Sequence, residues 1–400
     1  FKSISGLAQM DQLSTVLLVL VISISTFGQY FIGISNSILL QAAQRSYITN
    51  FVNLIGTIVN TVVTVALVLL QCNIIAVKLV SSLIFLLKPI VLWLYVRKHY
   101  QISKTSRSAQ KHLTQKWSGL GQHIAYFLHS NTDVVVLTCL ASLKDVAVYS
   151  VYNMVISHIQ NLAVSFVSGM EALFGDMLAK EEQKQLHETF DLYEMMISIV
   201  SVILFSAVEV LILPFVKLYT SGITDTNYRE PVFALLLTIS ALLYCLRMPY
   251  HSLVIAAGHF RQTNVAAYGE AAINIVFSVL LVSRMGLVGV AIGTICATGF
   301  RFAYYMIYLS KHIFYRNMHK AIKRILINAL TVAAILFVGT ITISIISITN
   351  YLLWIICGCV VVLLALVITA AVNWLFYRLE FKNAIYKMIP GKTSDKTKTE

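Results

Sequence analysis

Apolar runs separated by short polar breaks dominate the chain. They fall at residues 13–44, 47–70, 74–97, 118–140, 146–173, 191–217, 232–257, 263–283, 286–310, 325–348 and 351–377. Most match the roughly 20 residues that a helix needs to cross bilayer hydrocarbon. The alternating ten-residue segments of a membrane barrel are absent, and only helices or closed barrels satisfy backbone polar groups in lipid. The pattern therefore predicts an all-α polytopic membrane protein with about eleven transmembrane helices. The first run is long and contains Gly28 and Gly33, so it is expected to tilt, bend or project beyond the bilayer. Residues 176–190 read as a polar surface helix joining two spans, with Lys184 and Glu188 at i,i+4 spacing.

Composition agrees with lipid as the solvent. Of the 400 residues, 58% are hydrophobic and 12% charged, about half the charged share of a soluble domain. These values exclude a soluble enzyme, a disordered chain and a secreted disulfide scaffold. The 6 cysteines form no CxxC pair, and the sequence holds no metal-ligand cluster, phosphate-binding glycine loop or nucleophile constellation. We therefore expect no enzyme activity, no cofactor and no metal.

A net charge of +13 would suggest nucleic acid in a soluble protein, but here it bears first on orientation. One alternate set of connections carries 21 Lys and Arg, concentrated at 97–116, 311–324 and 378–398. The other carries only Lys2, Lys144, Lys217, Arg229 and Arg284. By the positive-inside rule the first set and the C-terminal tail are cytoplasmic, and no nucleic-acid partner is expected. The N-terminus is then outside, and this parity leads us to expect an odd number of helices ahead of residue 1. Outward connections are short, leaving no room for a domain that works on extracellular polymers.

Four cations fall within the runs: Lys78, Lys88, Arg247 and Arg301. Lys78 and the acid Glu209 are near outer ends and can snorkel. Arg247, Arg301, Lys88 and the acid Glu270 instead lie 7 to 10 residues from cytoplasmic ends, about 10–15 Å deep, in one layer. Charges at that depth cost at least about 2.5 kcal/mol each, so they should face a bundle interior or a wet cavity. Three cations and one acid suit an anionic ligand such as a phosphate; the plainer alternative is that Glu270 pairs with Arg247 or Arg301 and locks two helices. Pro249 should kink its helix beside Arg247. Asp133, in SNTDVVV, can hold a coupling ion or equally be hydrogen-bonded to neighbouring helices. The histidines His123, His129, His158 and His251 most simply read as hydrogen-bonded structural residues, and Gly289 with Gly293 as a close-packing GxxxG.

Three stretches carry a resemblance: LRMPYHSLVIAAGHFRQT at 246–263, GEAAINIVFSVLLV at 269–282 and MGLVGVAIGTICATGFR at 285–301. HSNTDVVVLTCLASLKDVAVYSVYNMV at 129–155 and LLQAAQRSYITN at 39–50 add to it. Together they resemble the polysaccharide (Wzx-type) flippase branch of the multidrug/oligosaccharidyl-lipid/polysaccharide exporter superfamily. The resemblance implies part of a 14-helix bundle of two lobes around a central cavity, with the first three helices lacking from this chain. Residues 1–98 would be the second half of the N-terminal lobe and 99–117 a basic cytoplasmic linker. Residues 118–310 would form the C-terminal six-helix lobe, 311–377 a cytoplasmic linker with two extra transmembrane helices, and 378–400 a cytoplasmic tail. It further implies ion-coupled alternating access that carries undecaprenyl-pyrophosphate-linked oligosaccharide across a bacterial cytoplasmic membrane for capsule or exopolysaccharide assembly. Arg247 and Arg301, with Glu270 beside them, would match the family's pyrophosphate-attracting cations, and Lys88 extends the set by depth alone. Asp133 or Glu270 would carry the H⁺ or Na⁺, and membrane lipids and polymerase or assembly proteins would be partners. A multidrug/cation antiporter of the same fold is the nearest alternative, though it calls for a carboxylate-dominated cavity. A glycosyltransferase or polymerase, or a non-transporting scaffold, follows at greater distance.

Overall fold

The structure, a computed structural model, describes residues 12–43, 45–100, 116–166, 169–223, 226–314, 318–344, 346 and 348–378. Its regular structure among these is helical throughout, without a strand. The basic linker and the C-terminal tail expected above fall largely outside the described residues. Nine described helices are long and apolar enough to cross a membrane. The chain is a multi-pass helical membrane protein, and it divides into two compact units, Phe1–Leu113 and Thr114–Glu400.

In the first unit, α1 (Gln12–Gly28) and α2 (Ile34–Ala42) are parts of the long first run. A π-helical turn at Gln29–Gly33 joins them. Then follow α3 (Ser46–Leu69) and α4 (Ile74–His99). Asn73 caps α4, its side chain accepting from Ile75 N at 3.2 Å. Gly28 and Gly33 let α4 approach this turn closely: a Cβ at 33 would sit 3.2 Å from Pro89, and one at 28 would collide with Leu86.

The second unit holds α5 (Lys116–Leu140), α6 (Leu143–Ser165), α7 (Met170–Ala179), α8 (Gln183–Tyr219), α9 (Pro231–Ala256), α10 (Phe260–His312), α11 (His319–Ser344) and α12 (Tyr351–Phe376). One of these departs from the spans expected above. α5 is not among the nine apolar spans, because Gln122, His123, His129, Ser130, Asn131, Thr132 and Asp133 dilute its hydropathy. α10 spans 53 residues but is two helical arms that meet at Gly286 (φ 53°, ψ −129°), where the runs expected at 263–283 and 286–310 divide, and one arm turns back along the other. Past the bend, a Cβ at Gly289 would lie 2.6 Å from the Leu281 backbone, and one at Gly293 2.8 Å from Ser278 N. The GxxxG thus seats one arm of a tight hairpin on the other. The polar helix expected at 176–190 is also not separate. Glu181 takes φ 59° and breaks the helix, so Asp176 ends up in α7 while Gln183 opens a single helix running into the span.

Packing in this unit follows side-chain size. Tyr152 of α6 meets Phe233 of α9 edge-on at 5.4 Å. Its hydroxyl donates to Tyr228 O at 2.8 Å and accepts from Glu230 N at 3.0 Å, which fixes the start of α9. Phe174, Phe190 and Tyr305 fill the core nearer the other end. α11 and α12 lie against α8 through Leu211, Ile335, Val361 and Ala365. Their opposite faces leave Phe337, Leu363 and Val367 exposed, as expected of a surface that meets lipid.

Candidate functional site

Three helical segments of the second unit converge on one carboxylate. Arg247 comes from α9, Glu270 from the first arm of α10 and Arg301 from its second arm. Arg247 Nη1 donates to Glu270 Oε1 at 2.6 Å, and Arg301 Nη1 donates to Glu270 Oε2. All three side chains are buried, at 3% exposure or less. The expectation was one arginine or the other; the hairpin at Gly286 brings both to the same carboxylate. The node carries two guanidinium charges against one carboxylate.

The surroundings hold the guanidiniums without neutralising them. The Tyr305 hydroxyl accepts from Arg301 Nη2 at 3.1 Å, and Arg301 lies over the Tyr305 ring at 5.3 Å. Arg247 lies over the Tyr244 ring at 4.7 Å, and its buried Nε–H has no acceptor among the described residues. His129 of α5 presents Nε2 3.8 Å from Glu270 Oε1. Asn274 Nδ2 donates to His129 Nδ1 at 3.0 Å, which leaves the imidazole proton on Nε2, facing the carboxylate. Asn274 Oδ1 in turn accepts from Ser278 Oγ at 2.9 Å.

One turn along α5 from His129, Asp133 forms a second buried node. Thr294 Oγ1 is 3.0 and 3.1 Å from its two oxygens, and Tyr149 OH donates to it at 3.3 Å. Asp133 is therefore hydrogen-bonded to α6 and α10, as one of its two readings had it, while its oxygens and Thr294 Oγ1 also make an oxygen-rich set that could hold a small cation. Among the described residues no group of three His, Cys, Asp or Glu side chains could hold a metal ion.

The remaining candidates separate. Lys88 belongs to the first unit, in a cavity of about 320 Å³ with Gln29, Ser37, Thr49 and Asn53. Its Nζ donates to Thr57 Oγ1 at 3.2 Å and sits 4.3 Å from the Phe85 ring centre. No Asp or Glu occurs between Asp11 and Asp133, so the described part of that unit offers Lys88 no carboxylate. Pro249 is buried inside α9, two residues beyond Arg247, and α9 runs on through it to Ala256. Of the histidines, His129 is in the node, His251 stacks 5.7 Å from Tyr305, and His158 is exposed on α6. All six cysteines are free.

A third charged cluster was not foreseen. Glu194 of α8 accepts from Arg324 Nη1 of α11 at 2.6 Å and from the Tyr250 hydroxyl. Beside it Lys320 Nζ donates to Asp191 Oδ2 at 2.7 Å. The charge pattern places Arg324 with the cytoplasmic connection, but α11 starts at His319 and buries it to 3% exposure.

These features define a polytopic helical bundle with a buried, net-positive node in its second unit. Among solved structures, the chain is similar to lipid II flippase MurJ in its inward closed conformation. The likeness has 16% identity and a TM-score of 0.62, and it covers 90% of this chain and 74% of that one. At that identity it establishes a shared fold. No protein-family model matches the sequence, and no curated protein matches it either.

Proposed function

We propose that the protein is a flippase for undecaprenyl-pyrophosphate-linked oligosaccharide, serving capsule or exopolysaccharide assembly in a bacterial cytoplasmic membrane. The observation that carries this reading is the sharing of Glu270 by Arg247 and Arg301 in a fold similar to that of a lipid II flippase. One carboxylate orients both guanidinium forks yet leaves one positive charge in excess, which suits a doubly charged pyrophosphate better than a cationic drug. The partnerless Arg247 Nε–H is a donor ready for such an oxygen. Lys88, free of acidic neighbours in the first unit, would add a second cationic contact. The lipid would be taken up from the cytoplasmic side, and rocking of the two lobes would expose it outward.

The chain's motifs include no nucleotide-binding loop, so the energy would come from an ion gradient or the membrane potential. Asp133, with Thr294 and Tyr149 around it, is the preferred carrier of H⁺ or Na⁺. Glu270 is less suited, since both of its oxygens are already taken by arginines. The test is complementation of a flippase-deficient strain with the complete gene product carrying Arg247→Ala or Arg301→Ala. Loss of surface polysaccharide at normal expression is the expected result. Wild-type polysaccharide with both variants would exclude a pyrophosphate clamp at this node.

A further inference from the structure

α6 is built inside-out for a membrane helix. Its buried face is apolar and aromatic, with Val148, Tyr152, Ile156 and Ala163 each at 2% exposure or less. Ser150, His158, Asn161 and Ser165 are exposed and Ser157 is partly so. With Met154 between them, these positions step i, i+4, i+7, i+8, i+11 and i+15 from Ser150, a single stripe down one side of the helix. The stripe runs from Ser150 to Ser165, about 22 Å along the axis, against a hydrocarbon thickness of about 30 Å.

Hydrocarbon cannot satisfy such a face. The Ser150 hydroxyl returns its proton to the helix, to Val146 O at 2.7 Å, and its lone pairs remain outward. His158 Nδ1 is 2.6 Å from Met154 O, which leaves Nε2 directed away from the helix. The Asn161 amide is exposed and has no partner among the described residues. Polar side chains at membrane depth face a protein interior or a water-filled path, and these are not interior.

We propose that the α6 stripe is the wetted wall of the translocation path, and that it receives the uncharged, hydroxyl-rich sugar of the lipid-linked cargo. The choice of occupant rests on the flippase reading above; the wetness of the wall does not. The stripe carries hydroxyl, carboxamide and imidazole groups and no Lys, Arg, Asp or Glu. Such groups suit neutral hydroxyls by exchanging donor and acceptor roles, whereas the anionic end of the cargo has the Arg247–Arg301 node. A polyprenyl tail would strip water from the stripe and return nothing.

The test places single cysteines at Ser150, Ser157 and Asn161, and at Leu162 and Phe166, which are exposed but lie off the stripe. A charged, membrane-impermeant thiol reagent is applied to the complete protein in membranes, and the signal of the parent protein is subtracted. The stripe positions are expected to react an order of magnitude faster than 162 and 166. Equal rates would overturn the wet wall. A photoreactive residue at 157 or 161, in cells grown with tritiated galactose and N-acetylglucosamine, then reads the occupant. Tritium on the cross-linked protein above that at position 162 supports a sugar there, and tritium equal to it overturns that assignment. The flippase reading fails separately, through unchanged export in the Arg247→Ala and Arg301→Ala variants.

Discussion

Arg324 and Glu194, 130 positions apart, meet at 2.6 Å in a buried ion pair that fastens α11 to α8. The Tyr250 hydroxyl joins them from α9, so three helices are tied at one carboxylate. Both side chains are almost fully removed from solvent, so removing either one takes from the other the ion-pair partner it has there. That typically costs about 3–5 kcal/mol, well beyond what a surface pair contributes. Glu194→Gln or Arg324→Met should therefore lower the thermal midpoint of the purified protein markedly. The double variant Glu194→Gln/Arg324→Met should recover much of the loss. Additive losses in the double variant would show that the two charges are not coupled.

The Arg247–Glu270–Arg301 node separates stability from transport by charge counting. Glu270→Gln leaves two buried guanidiniums with no counter-charge, whereas Arg247→Ala leaves a neutral Arg301–Glu270 pair. Glu270→Gln should thus reduce folded yield and thermal stability more than Arg247→Ala does. Export should fall in both, because the surplus positive charge is misplaced in one and missing in the other. Thermal melts in detergent and surface-polysaccharide assays on the same variants check the ordering. A less stable Arg247→Ala would mean that the arginine serves packing above charge.

This node was legible in the sequence because charge in an apolar run is expensive, so its rarity and common depth stand out. The sharing of one carboxylate was not, since it depends on the turn at Gly286 that folds the two arms of α10 together. Arg324 was misread for a related reason. It lies at the edge of an apolar run, where a basic residue normally marks a cytoplasmic boundary, and nothing in its neighbours signals that Glu194 awaits it. Glu194 was overlooked because it too sits where a polar connection gives way to a span. The α6 stripe did leave a signal at helical spacing, but Met154 and the intervening Val, Ile and Leu residues mask it from a count of apolar residues.

Asp133 offers a test of ion coupling that spares the fold. Asn has the same shape as Asp, and its carbonyl oxygen can still accept from Thr294 or Tyr149. Asp133→Asn should therefore keep the protein folded but uncouple export from the gradient. The measurement is the dependence of cargo movement in proteoliposomes on an imposed Na⁺ or H⁺ gradient. Thr294→Val, which removes one ligand oxygen and leaves the carboxylate, should weaken that dependence by a smaller factor. A gradient response retained by Asp133→Asn would move the coupling site elsewhere.

The hairpin of α10 rests on backbone that only glycine adopts at low cost. At φ 53° and ψ −129°, a Cβ on residue 286 meets strain even though no neighbouring side chain crowds it. Gly286→Ala should cost about 1–3 kcal/mol, the usual range for a residue held in a sparsely populated region. Gly293→Val acts differently, through space: its Cβ would meet Ser278 and the Asn274 carbonyl, prying apart the two arms. Because those arms carry Glu270 and Arg301, the second variant should damage export beyond what its stability loss explains. Gly286→Ala should instead lower export only in proportion to folded protein. Comparing export per folded molecule, with fluorescence-detected gel filtration giving the folded amount, checks both. If Gly293→Val merely tracked its folded amount, the spacing between the arms would have no part in holding the two arginines on one carboxylate.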